Sequence, residues 1–141
     1  MKNIFTLFAV SILICIVAAA NTGDKFIESL RNCSLYSESG SLNIGGIQAH
    51  SAKQIIGWQD NKCVYKEIIN YSSTNIITVC KFTQPQIREI ILAAESYYST
   101  LNNSENTPNS LSFESVQNNP FAMVMNRYLQ DTSICTMNSY E

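Results

Sequence analysis

Basic residues are scarce in this chain, nine Lys and Arg against eleven Asp and Glu. That balance argues against a phosphate-binding surface, because nucleic-acid affinity is assembled from many cationic contacts. Histidine occurs once, as His50. A Ser-His-Asp triad would have to draw this residue's partners from distant sequence, and no Gly-x-Ser-x-Gly elbow singles out a serine. The ordinary reading of His50 is a packed or solvated strand residue. Gly45-Gly46 lacks the spacing of a phosphate loop. Cys-x-x-Cys is absent, which removes a thioredoxin-like redox site. No cofactor motif occurs. After the first twenty residues no apolar run approaches a spanning length.

Those first twenty residues have the three regions of a secretory signal. Met1-Lys2-Asn3 is a short basic start, Ile4 to Val17 is apolar but for Thr6 and Ser11, and Ala18-Ala19-Ala20 supplies small residues for cleavage. The expected division is therefore a cleavable signal peptide over 1–20 and one small domain over 21–141. Cys15 follows Ile14 rather than a small residue and reads as part of the apolar core of the signal, not a lipid-modified site. Only Lys2 leaves with the signal, so the mature chain has a net charge near −3. The expected location is exported, either periplasmic or extracellular.

Four cysteines then remain: Cys33, Cys63, Cys80 and Cys135. An even number in a small exported chain is the arithmetic of a disulfide framework. The rival is a four-cysteine zinc site, which draws its ligands in close pairs; the intervals of 30, 17 and 55 residues contain none. Neither metal nor cofactor is expected. Four cysteines allow three pairings. If Cys63 and Cys80 sit on consecutive strands equidistant from the turn between them, they face each other, which leaves Cys33 for Cys135.

Asp24 caps an expected helix over Lys25 to Asn32, with Phe26, Ile27 and Leu30 on its buried stripe. Cys33 to Tyr36 reads as a brief extended piece and Ser37 to Gly46, rich in Ser and Gly, as a loop. Three strands are expected over Ile47 to Gln59, Lys62 to Tyr71 and Asn75 to Phe82, separated by polar turns. The period then changes. Thr83 followed three residues later by Gln86 has capping-box form, and Ile87, Ile90, Ile91, Ala94, Tyr98 and Leu101 share one helical face over roughly 84 to 101. Asn102 to Ser110 reads as a loop. Asn119-Pro120 is a cap and first-turn proline for a last helix over about 120 to 131. The expected fold is α+β: a three-stranded antiparallel β-meander covered by a long amphipathic helix, with short N-terminal and C-terminal helices. Glu89 and Glu95, six residues apart, fall on different helix faces and read as solvated surface rather than an acid–base pair.

The stretch from Ile55 through Gly57-Trp58 to Lys62-Cys63-Val64-Tyr65, followed by Cys80-Lys81-Phe82 and Ala94-Glu95-Ser96-Tyr97-Tyr98, resembles a pattern in small uncharacterised exported bacterial proteins. Cys33 to Tyr36 also fits. The resemblance covers roughly residues 30 to 100. It implies a fold and carries no activity to transfer. Two positions depart from the pattern: Asn61 stands where a turn glycine is common, and Tyr71-Ser72-Ser73-Thr74 replaces a Pro- and Gly-rich turn.

Trp58, Tyr65, Tyr97 and Tyr98 are the possible binding surface, since aromatics anchor interfaces; core packing is the commoner use of such residues. The expected function is that of a non-catalytic module binding another protein or an envelope component. The alternative is a small secreted hydrolase or an inhibitor of host or competitor enzymes. Intact mass of the exported protein is expected to begin at Asn21; a retained Met1 to Ala20, or a lipid on Cys15, would contradict the division made above.

Overall fold

The computed structural model describes the backbone over residues 20–44, 47–103 and 119–140, and side chains over 25–41, 47–99 and 119–140. The signal segment, except Ala20, lies outside the described residues, as do Gly45, Gly46 and 104–118. The elements in chain order are α1 (Ala20–Asn32), β1 (Tyr36–Ile44), β2 (Ile47–Gln59), β3 (Lys62–Tyr71), β4 (Thr74–Phe82), α2 (Gln84–Asn103), α3 (Pro120–Gln130) and β5 (Cys135–Tyr140). All five strands form one antiparallel sheet in the order β1-β2-β3-β4-β5.

This corrects the three-stranded meander. The two additional strands lie at the margins, and both are polar. β1 reads Tyr-Ser-Glu-Ser-Gly-Ser-Leu-Asn-Ile, and β5 reads Cys-Thr-Met-Asn-Ser-Tyr. Neither shows an apolar period of two over its length. Their strand state comes from pairing with β2 and β4, an effect of tertiary context on residues with weak intrinsic preference. The N-terminal helix also starts earlier than expected, at Ala20.

The buried side of the sheet alternates along each central strand. Ile55 on β2, Cys63 and Tyr65 on β3, and Cys80 and Phe82 on β4 are buried together with Phe26, Ile27 and Leu30 of α1. Ile87, Ile90, Ile91 and Ala94 of α2 and Phe121, Met125, Tyr128 and Leu129 of α3 complete the same core. A chain of aromatic contacts runs through it, from Tyr36 to Phe26, Tyr65, Phe82 and Tyr128, with ring centroids 5.7–6.4 Å apart. Such edge and tilted contacts add to the area each ring removes from water.

The helix ends follow the local signals. The Thr83 N–H donates to Gln86 Oε1 at 2.8 Å, half of the capping box. The Ala122 N–H donates to Asn119 Oδ1 at 2.8 Å, with Pro120 in the first turn. The end of α1 is a Schellman arrangement: the Ser34 N–H reaches Ser29 O at 2.9 Å and the Cys33 N–H reaches Leu30 O at 3.1 Å. Its left-handed position, usually glycine, is Cys33 with φ 48°. Asp60 and Asn61 join β2 to β3 with φ 50° and 60°, the backbone of a type I′ turn.

The disulfides are Cys33–Cys63 and Cys80–Cys135, not the expected Cys63–Cys80 and Cys33–Cys135. The error lies in the centre of the β3–β4 turn. Tyr71 opposes Thr74, so Cys63 opposes Phe82 and Tyr65 opposes Cys80. Moving the centre of a hairpin by one residue moves every partner by two. Cys63 and Cys80 therefore share a face as diagonal neighbours, while Cys80 stands directly opposite Cys135 on β5.

Non-reducing peptide maps are expected to recover Cys33–Cys63 and Cys80–Cys135 peptides. In the chain-entropy model each loop of this size contributes about 4 kcal/mol at most. Replacing Cys80 and Cys135 together by Ala is therefore expected to lower unfolding free energy by about 2–4 kcal/mol in urea titrations; a loss well under 1 kcal/mol would show that β5 is held by its ladder and packing alone.

Candidate functional site: an apolar corner beside the Cys33–Cys63 bridge

Backbone of unusual conformation gathers at one corner of the sheet. Cys33, Gly57 (φ 111°), Asp60 and Asn61 all have positive φ, and Ser72 is the fifth such residue among those described. A register shift between Ile55 and Gly57 marks a bulge that places Gly57 opposite Val64 and Trp58 opposite Cys63. A bulge adds a residue to one strand and re-aims the side chains beside it. A Cβ on Gly57 would lie 3.9 Å from the carbonyl oxygen of Cys33, so sterics leave room there and the positive φ is what favours glycine. Cys33–Cys63 then ties the end of α1 to the start of β3.

Three large apolar side chains remain in water around this bridge. Leu35 is 81% exposed, Trp58 45% and Ile56 40%. Leu35 and Ile56 line a shallow depression of about 370 Å³ on the side of the sheet away from the helices. Trp58 stands at the rim on the other side, in the row of Cys63 and Phe82. Rigid backbone under exposed apolar groups is the arrangement found at interfaces, since little ordering entropy is left to lose on binding.

The four expected aromatics do not share a surface. Trp58 belongs to the corner. Tyr65 is 1% exposed and lies in the core. Tyr97 is buried, and burial pushes its hydroxyl pKa up. Tyr98 lines a groove between α1 and α2. The signal for Trp58 was its residue type beside a turn. Nothing in periodicity separated Tyr65 from it, and Leu35, which directly precedes β1, carried no signal because the segment after it has the composition of a loop.

His50 is exposed on the side of the sheet away from the described helices, with Ser41 and Asn70 as its direct cross-strand neighbours. The described residues therefore place no carboxylate next to it in the ladder. Glu89 and Glu95, expected as solvated surface, each bridge two helices. Glu95 Oε1 accepts from Arg31 Nη2 of α1 at 2.5 Å, and Glu89 Oε1 accepts from Arg127 Nη2 of α3 at 2.5 Å. The Tyr128 hydroxyl donates to the second oxygen of Glu89, and the Arg127 guanidinium lies 5.0 Å from the centre of the Tyr128 ring.

The helix-covered side holds a charged row that sequence reading missed. The register sets Lys53 between Glu38 and Glu67, and both Lys53 and Glu67 are buried. The Tyr36 hydroxyl donates to Glu38 Oε2 at 2.8 Å. Burial, then this carboxylate, pushes the tyrosine's pKa well up. Alternating sign across three strands rewards one register, because a one-residue slip would carry Lys53 to the other face. No cluster of His, Cys, Asp and Glu suited to a metal occurs among the described residues. No protein-family model, curated protein or solved structure matches this chain.

Arg127, then Tyr128, hold the Glu89 carboxyl below its ordinary pKa. Its contribution to stability is therefore complete above the unfolded value of about 4.3 and is lost as pH falls through the lower folded value. Both partners are half exposed, so screening keeps the effect to about 1 kcal/mol or less. Glu89→Gln is expected to be less stable than wild type at pH 7 by that amount, with the gap closing toward pH 3 in urea titrations; a constant gap would deny the charge its role.

Proposed function

We propose that this protein is an exported, non-catalytic binding module whose contact surface is the corner formed by Leu35, Ile56 and Trp58. Two disulfides are compatible with an oxidising, exported location, and no described helix is long and apolar enough to cross a membrane. The observation that carries the reading is the exposure of these three side chains on backbone fixed by Cys33–Cys63 and the Gly57 bulge. Burying one such side chain against a partner contributes about 1.5–3 kcal/mol, more than a solvent-facing polar contact returns. The partner in this reading is a protein or a component of the cell envelope. Membership in the group of small exported bacterial proteins noted above belongs to the same proposal.

Leu35→Ser tests it cleanly, because a side chain this exposed contributes little to folding, within about 0.5 kcal/mol. The purified protein, immobilised and exposed to its own envelope fraction, is expected to retain a partner that Leu35→Ser and Trp58→Ala each release at least fivefold. Equal retention by wild type and both variants would move the contact surface elsewhere. A hydrolytic activity that survives Leu35→Ser and disappears in His50→Ala would replace the module with an enzyme.

A further inference from the structure

Three lysines meet on the side of the sheet away from the described helices, with Val64 at their centre. Lys81 of β4 lies directly across from Val64. Lys62 and Lys66 sit two residues to either side of it on β3, so alternation gives all of them one face. Both are diagonal neighbours of Lys81, about 7–8 Å away. No carboxylate balances them. Glu38 and Glu67 belong to the helix-covered face, and the described strand residues of the other face include no Asp or Glu. Asp60 in the β2–β3 turn and Asp131 ahead of β5 are the other described carboxylates near this end. Among the described residues Lys62, Lys66 and Lys81 take part in no ion pair. Like charges placed as neighbours on one face repel, and an anionic partner relieves that cost.

The apolar corner is continuous with this cluster. Val64 faces Gly57 of β2, which adds no side chain, and Ile56 is the residue before it at the bulge. Leu35 and Ile56 stand on the same face as the lysines, 81% and 40% exposed. A protein partner would need a matching pocket for each of these projecting side chains, whereas a fluid apolar phase accepts them without one. Exposed aliphatic groups beside lysines, with no acid among them, are the composition of surfaces that lie at the boundary of lipid headgroups and acyl chains. Lysine suits that boundary, because its stem packs along apolar surface while its ammonium group reaches the phosphates.

We propose that this end of the sheet docks the protein on an anionic lipid surface. Leu35 and Ile56 enter the boundary between headgroups and acyl chains, and Lys62, Lys66 and Lys81 meet lipid phosphates. The inference rests on the binding-module reading and names its partner as a lipid bilayer. Two weak contributions act together, aliphatic insertion and attraction of lysines to a negative surface, and peripheral attachment generally needs both. A second copy of this chain is a poor occupant, since the same face would set lysines against lysines, and the strand carboxylates lie on the side that the helices cover.

The probe is a vesicle of phosphatidylcholine, alone or with about one third phosphatidylglycerol, sedimented with the purified protein. Binding to the anionic vesicles is expected to exceed binding to the neutral ones by roughly tenfold or more, and to fall as salt rises. Each lysine near such a surface contributes about fivefold, so Lys66→Gln/Lys81→Gln should weaken binding roughly tenfold or more. Lys25→Gln/Arg88→Gln removes the same charge from exposed positions on α1 and α2 and should change binding by no more than about twofold. Leu35→Ser should weaken it roughly fivefold. Urea unfolding of each variant confirms that the fold is kept. Equal binding to both vesicles, equal loss in the two double variants, full binding by Leu35→Ser, or no binding at about 1 mM accessible anionic lipid would each overturn the proposal. Lysine-dependent binding of soluble polyglutamate without binding of vesicles would also overturn it, in favour of an acidic protein. Envelope capture that depends on Leu35 and Trp58 and persists after the lipid is extracted, without vesicle binding, would leave the binding module standing and remove only the lipid.

Discussion

The row Tyr36, Ile55, Tyr65, Cys80 and Cys135 crosses all five strands on the side that the helices cover. It is the one constraint that the other parts of the fold answer to. Tyr65 sits at its centre, in contact with Phe26 of α1 and Phe82 of β4. A one-residue slip of a central strand would send its member of this row to the other face and, in one direction, bring Gln54, Lys66 or Lys81 inward. The disulfides lie on this row and on the next one. Cys80–Cys135 staples β5 within the row, and Cys33–Cys63 fastens the end of α1 one row above. The covalent framework therefore reinforces a register that apolar burial already selects.

The central elements were legible because burial leaves a period. Ile47 to Gln59 and Lys62 to Tyr71 are β-rich runs bounded by polar turns, and Ile87, Ile90, Ile91 and Ala94 recur at helical steps. The caps at Thr83 and Asn119 were legible for a different reason: a side chain that satisfies an orphan N–H must lie at a fixed offset. The margins were not legible. Ser37, Ser39 and Ser41 face solvent on one side of β1, and Gly40 breaks its apolar sequence, so its composition reads as a loop. A marginal strand has half the ladder and little burial, and leaves correspondingly little imprint on residue choice. The three-stranded reading was the visible middle of a five-stranded sheet.

The cysteine pairing failed for a geometric reason that is separate from strand recognition. Cys63 and Cys80 do share a face, but facing each other requires a turn centred between Tyr71 and Ser72, and the turn is centred between Ser72 and Ser73. With β5 unrecognised, Cys135 also had no strand on which to stand opposite Cys80. Each omission supported the other. Of the candidate site, Trp58 was legible from residue type and position near a turn. Leu35 and Ile56 depend on β1 and the bulge; β1 has the composition of a loop, and Gly57 inside a strand is the one sequence signal for the bulge.

The same feature that hid β1 gives it chemical interest. A strand rich in small hydroxyl side chains has little to bury, and among the described strands β1 pairs with β2 alone. The neighbouring strand is different: β2 contributes Ile56 at one end of that face and His50 toward the other. The ladder between β1 and β2 fixes the spacing of these groups. Carboxylates are directed to the helix-covered side, where Lys53 stands between two of them, while Lys62, Lys66 and Lys81 are left on the open side. Sorting by alternation alone therefore gathers the strand carboxylates on one face and leaves these three lysines on the other. Net charge reports how the whole molecule behaves in solution, and the arrangement of charge on each face of the sheet is a separate property.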